Sequence, residues 1–140
     1  MTSRLAPSDA DPAVVLTVHA DADRLPFARV VAVSCGAQAD LPMNRVDDLR
    51  QCTQEALAVL LHHGCTGEVA VRFHLDPGSI TVHASGSGPD TSLPEPTSFA
   101  WLLLDELADD ARADLDSGRL AVEFLISGRV DSVPPRQARP

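Results

Sequence analysis

Asp47-Asp48-Leu49-Arg50-Gln51-Cys52-Thr53-Gln54-Glu55-Ala56-Leu57 is the stretch on which the reading of this chain turns. Val46, Leu49, Thr53, Leu57, Leu60 and Leu61 recur every three or four residues, so they form one apolar stripe of a helix that faces a core. Glu55 lies inward, beside that stripe. Asn44 is the expected N-cap, Asp47 and Asp48 suit the positive end of the helix dipole, and Gly64 stops the helix. His62 and His63 lie near the negative end, where their charge is favourable; adjacent on a helix, their side chains diverge and make no metal pair.

Beyond Gly64 the period changes from helical to alternating. Val69, Val71, Phe73 and Leu75 share one face, Asp76-Pro77-Gly78-Ser79 makes a turn, and Ile80, Val82 and Ala84 run back, which is a β-hairpin. That second strand opens into Ser85-Gly86-Ser87-Gly88, about thirty residues after Glu55. A loop is expected over 85–97, and then Ser98 caps a helix through Phe99, Trp101, Leu104 and Leu107, with Leu93, Phe99 and Trp101 in or near the core. Asp116-Ser117-Gly118 separates 113–115 from 119–130, a second hairpin. On the other side of the opening stretch, Ala13 to His19 reads as a strand. Asp21 or Asp23 then caps a helix through Leu25, Ala28, Val31 and Ala32 that ends near Cys35-Gly36.

The order strand, helix, helix, two strands, helix, two strands predicts an α/β chain of the α+β type. It is a two-layer sandwich with a mostly antiparallel, mixed sheet of about five strands and three helices on one face. One domain is expected over 13–131, with a disordered leader over 1–12 and a disordered tail over 132–140. A Rossmann reading lacks its motif, because Gly86-Ser87-Gly88 leads into proline-rich loop rather than a helix.

Eleven arginines, no lysine and 20 acidic residues give a net charge of −9. That balance disfavours nucleic acid phosphates and anionic membranes, so a protein or small molecule is the expected partner. No apolar run reaches the ~20 residues of a membrane span and the first residues have no signal core, which points to the cytoplasm. Cys35, Cys52 and Cys65 are odd in number and without C-x-x-C spacing, so neither a disulfide framework nor a zinc site is predicted. A metal or redox sensor built on these thiols has no recognised ligand spacing.

This succession resembles the ATPase domain shared by histidine kinases, gyrase, Hsp90 and the serine-kinase-type anti-sigma factors (the GHKL fold), over about residues 13–130. Asp48-Leu49-Arg50 ahead of the Glu, and Ser98-Phe99-Ala100-Trp101 leading to Leu107-Ala108-Asp109-Asp110, resemble the anti-sigma factors of the stress and sporulation sigma factor in mycobacteria and their relatives. The resemblance implies a first nucleotide box Glu-x-x-x-Asn, in which the Glu activates the reacting hydroxyl and the Asn holds magnesium. Glu55 matches that catalytic base position, but the Asn position is Val59, which offers a metal no oxygen. The second box, Asp-x-Gly-x-Gly, is matched by Gly86 and Gly88, while its adenine-binding Asp is Ala84. A methyl cannot accept that hydrogen bond. The later glycine-rich lid is replaced by Leu93-Pro94-Glu95-Pro96-Thr97-Ser98.

The expectation is therefore an anti-sigma factor that sequesters an alternative sigma factor and is released by an antagonist of the STAS type, without ATP or any other cofactor. The alternative is an active serine kinase that phosphorylates its antagonist, using Glu55 with ATP and magnesium. The resemblance also implies a homodimer, formed through the sheet edge in family members, and a sigma factor held by the first two helices. That makes Arg24, Arg29, Arg45 and Arg50 the candidate contacts, since an arginine fork pairs well with carboxylates.

Overall fold

The structure, a computed structural model, describes residues 11–128. Most of the leader and all of the tail expected from the sequence lie outside the described residues. The elements are β1 (Val14–His19), a 3-10 turn (Ala22–Arg24), α1 (Leu25–Gln38), α2 (Met43–His62), β2 (Thr66–Asp76), β3 (Ser79–Ser87), α3 (Phe99–Leu107), β4 (Asp110–Asp116) and β5 (Arg119–Ser127). The strands form one sheet in the order β1-β2-β3-β5-β4. All four neighbour pairings are antiparallel, so the sheet is purely rather than mostly so.

Strand alternation and helix stripe meet in one core. Val71 pairs with Ala84, and Phe73 with Val82; Val82 in turn faces Phe124, and Ala84 faces Val122. These side chains are fully buried with Leu49, Leu57 and Leu60 of α2 and Leu104 of α3. α2 packs against α1, α3 and the central strands β3 and β5, which makes it the axis of the helical layer.

Several boundaries differ from the sequence expectation, each for a local reason. α1 runs two residues past Gly36, because that glycine lies against α2, where a Cβ would come to 3.0 Å from Val46 Cγ2. A glycine that lets two helices approach closely is no stop signal. α2 starts from Pro42 as N-cap, and Asn44 lies inside the helix. Asp47 and Asp48 fall beyond its first turn and bind Arg50 and Arg45 instead. Asp21 caps only the 3-10 turn, accepting from the Asp23 amide at 3.0 Å. β3 continues through Gly86 to Ser87 because β5 pairs with it residue by residue, Gly86 against Leu120. Leu93 and Phe99 are exposed, at 51% and 76%, and only Trp101 of the expected trio packs on the core.

The three cysteines are free and buried. Burial pushes the Cys35 thiol up to about 11 and the Cys52 thiol up to about 12, so neither is a ready nucleophile. No group of three potential metal ligands occurs among the described residues. Nor is any helix among them long and apolar enough to cross a membrane.

The face of the sheet away from the helices is polar but partly closed. His74 and His83 are each 5% exposed, their rings meet edge to face at 4.7 Å, and no ring nitrogen has a hydrogen bond of good geometry. His83 Nδ1 lies 3.3 Å from Glu123 Oε2, which also accepts from Arg112 at 2.9 Å. Proximity of His83, followed by Arg112, holds the Glu123 carboxyl below its ordinary range.

Burial, then His83 and Arg72, lowers the pKa of His74, against weaker opposing effects of the Asp11 backbone and Asp76. The unfolded chain therefore takes up a proton at His74 more readily than the folded one. The stability this neutral histidine confers is complete above its unfolded pKa of about 6.5 and is lost as pH falls below that value. Chemical denaturation midpoints at pH 7.5 and 5.5 should differ in that direction, and His74→Leu should reduce the difference. A wild-type midpoint that stays level over this range would refute the assignment.

Candidate functional site

Val59 and Ala84 share the core cluster, Gly86 lies against Cys65 and Val69, Gly88 lies against Gly64, and Glu55 sits one turn before Val59 on α2. α2 turns Glu55 and Val59 inward one turn apart, because both lie on its buried face. Glu55 is 9% exposed, and its carboxylate accepts from Gln51 Nε2 at 3.1 Å, one turn back on the same helix. Val59 is 1% exposed and Ala84 is fully buried. Their side chains are part of the core, with no oxygen to offer a metal and no acceptor to offer a base.

The glycine loop is packed against protein. Gly64, just past α2, has φ +98°, the left-handed region that favours glycine. A Cβ on Gly64 would strike the Asp90 carbonyl, and one on Gly88 would strike the carbonyl of Gly64. On the core side, a Cβ on Gly86 would lie 2.7 Å from Val69 Cγ1. Gly64 and Gly88 let backbone approach backbone, and Gly86 lets the end of β3 lie against the Val69 and Cys65 side chains.

The loop after Gly88 is fastened as well. The Ser92 amide donates to the His63 carbonyl at 3.0 Å, Ser92 Oγ lies 3.2 Å from His63 Nδ1, and Thr91 Oγ1 donates to the Gly118 carbonyl at 2.9 Å. The stretch just ahead of Leu93 is thus tied to the end of α2 and to the β4–β5 turn. ATP and magnesium do not fit this set of residues: Val59 offers no oxygen to a metal and Ala84 no acceptor to an adenine.

The four candidate contact arginines have different surroundings. Arg24 is exposed. Arg29 donates to Gln54 Oε1 at 3.1 Å, linking α1 to α2, and Arg50 pairs with Asp47 at 3.3 Å. Arg45 is committed inside the molecule, with its side chain 17% exposed. It pairs with Asp48 and Asp109 at 2.7 Å each and donates to the carbonyls of Ser127 and Leu107 at 2.9 and 3.1 Å. Asp109 also accepts from the Ser127 amide at 2.7 Å.

Two features escaped the sequence reading. Gly64 was legible only as a helix stop, though its positive φ also seats the glycine loop. Phe27, Val30 and Val33 stand out from α1 at 56%, 66% and 40% exposure. Their apolar character on both sides of a helix was the available signal.

A five-stranded antiparallel sheet under three helices, with a carboxylate on the central helix and glycines at the end of the third strand, defines an ATPase-type domain. The family model of the histidine kinase-like ATPase domain matches residues 18–126. Two curated relatives, each named anti-sigma-F factor RsbW, come from Mycobacterium tuberculosis strains CDC 1551 / Oshkosh and ATCC 25618 / H37Rv. Both are 30% identical over 118 residues, covering 83% of this chain and 70% of theirs. The chain belongs to the histidine kinase-like ATPase family, in its RsbW-type anti-sigma branch.

Proposed function

We propose that this protein binds and sequesters an alternative sigma factor of the stress or sporulation type in the cytoplasm, as a homodimer and without ATP. Release comes from competition by a STAS-type antagonist. The observation that carries this reading is the pairing of family membership over most of the chain with buried, apolar Val59 and Ala84 at the two positions where the resemblance implies a metal oxygen and an adenine acceptor. The fold supplies a partner surface whether or not the nucleotide chemistry survives. At the start of α1, exposed Phe27 and Val30 beside Arg24 and Arg29 suit an amphipathic partner with acidic flanks. Replacing Arg24 and Arg29 together with Glu should weaken sigma-factor binding by roughly tenfold or more, and unchanged affinity would remove these contacts.

The direct test is calorimetric titration with ATP and magnesium, with ADP alongside, followed by sigma-factor binding with and without nucleotide. The expected result is no nucleotide heat and one sigma-factor affinity in both conditions. Micromolar ATP binding, with transfer of phosphate to the antagonist that Glu55→Gln abolishes, would put the active serine kinase in place of this reading.

A further inference from the structure

We infer that the outer face of α3, with the segment leading into it, is a second docking surface that takes a basic amphipathic helix of the sigma factor. This rests on the sigma-factor reading above and names a further contact and what competes for it.

The sequence of α3 leaves more apolar surface outside than its packing uses. Of its nine residues only Leu104 is fully buried, with Ala100, Trp101 and Leu107 packed beside it. At about 100° per residue, Phe99, Leu102 and Glu106 form a stripe on the opposite side, and Asp105 borders it. Phe99 is 76% and Leu102 53% exposed, and both acidic residues are exposed as well. Leu93, at 51%, and exposed Glu95 continue the same mixture in the segment before the Ser98 cap. An aromatic and a leucine one turn apart are the anchors by which one helix engages another. A bare stripe of this kind, bordered by charge, marks a protein contact.

Charge selects the partner. Between His83 and Arg112 the chain has six carboxylates and no Arg, Lys or His. Asp109 is engaged by Arg45, while Glu95, Asp105 and Glu106 face solvent around the apolar anchors. The α1 side has the opposite sign: from Arg24 to Ala39 there are two arginines and no carboxylate. Between them lies α2, packed against both α1 and α3. The helical layer therefore offers two apolar faces of opposite sign, and a segment suited to one is repelled by the other. What fits α3 is a helix with apolar residues at i and i+3 or i+4, flanked by arginine or lysine.

A sigma factor has such helices where it meets promoter DNA, because a protein that engages the phosphate backbone presents arginine and lysine to it. The carboxylates of Glu95, Asp105 and Glu106 take the place of phosphates, and Phe99 and Leu102 add an apolar contact that phosphates cannot supply. Docking on α3 and binding to DNA are then mutually exclusive.

The test is calorimetric titration of the full chain with the sigma factor at low and high salt, with circular dichroism as the check on folding. Asp105→Lys with Glu106→Lys should weaken binding by roughly tenfold or more and flatten its salt dependence, and Phe99→Ser with Leu102→Ser should weaken it comparably. All four side chains are exposed, so the fold should survive both changes. Heparin, a polyanion that occupies basic surfaces, should compete with the wild-type protein for the sigma factor and affect the residual binding of the charge-reversed variant less. A wild type that binds no sigma factor would overturn the reading this rests on, and the surface with it. Full affinity in both variants would overturn the surface alone; if those variants instead lost self-association, the face would belong to a second copy. Weakening by the serine changes only, or indifference to heparin, would overturn the basic helix as occupant.

Discussion

Ala84→Asp should unfold this protein rather than return an adenine contact to it. Ala84 is fully buried, lies between Val71 and Val122 on the flanking strands, and belongs to the apolar cluster under α2. A carboxylate there would have no cation and no water. It must either protonate or displace the core, at a cost on the order of 4 kcal/mol, a large share of the 5–15 kcal/mol that hold a typical domain together. Urea unfolding should show the loss as a lower midpoint. The opposite result is informative: a variant with the wild-type midpoint that gained an ATP-dependent thermal shift would mean that the site can open.

Arg45→Ala should cost about 2 to 3 kcal/mol, because one side chain ties three segments together. Its guanidinium joins the start of α2 to the end of α3 through the Leu107 carbonyl, to the head of β4 through Asp109, and to the end of β5 through the Ser127 carbonyl. Truncation leaves the Asp48 and Asp109 carboxylates without their shared cation. Arg45→Lys should recover only part of the loss, since an ammonium group cannot reproduce the fork. Thermal unfolding of the three proteins orders them, and an Arg45→Ala variant as stable as the parent would remove the residue from the framework. Sigma-factor affinity of the folded Arg45→Lys variant then separates a structural role from the contact role that its position on α2 suggested.

Element types were legible wherever one physical signal dominated. The stripe from Val46 to Leu61 and the alternation from Val69 to Ala84 each settle a period, and Asp76-Pro77-Gly78-Ser79 settles a turn. Boundaries failed where a distant contact outweighed a local preference. Gly36 reads as a stop but lies against Val46 of α2, and Gly86 reads as loop but is held in β3 by Leu120 across the ladder. The losses at Val59 and Ala84 were visible as residue types. That Gly64 and Gly88 have closed on each other was not, since their approach depends on how a helix end and a strand end meet. The cluster of His83, Glu123 and Arg112 was hidden for the same reason: His83 and Glu123 are 40 positions apart in the sequence and meet only once strand order is known.

The tether from Ser92 to His63 and from Thr91 to Gly118 bears on what this domain can sense. If no nucleotide binds, as proposed above, a loop fastened by its own side chains keeps one shape whatever the ratio of ATP to ADP around it. On the proposed reading, the energy state of the cell does not reach the surface that holds the sigma factor. Only the relative abundance of competing proteins does, so the switching threshold is set by the rates at which those proteins are made and degraded.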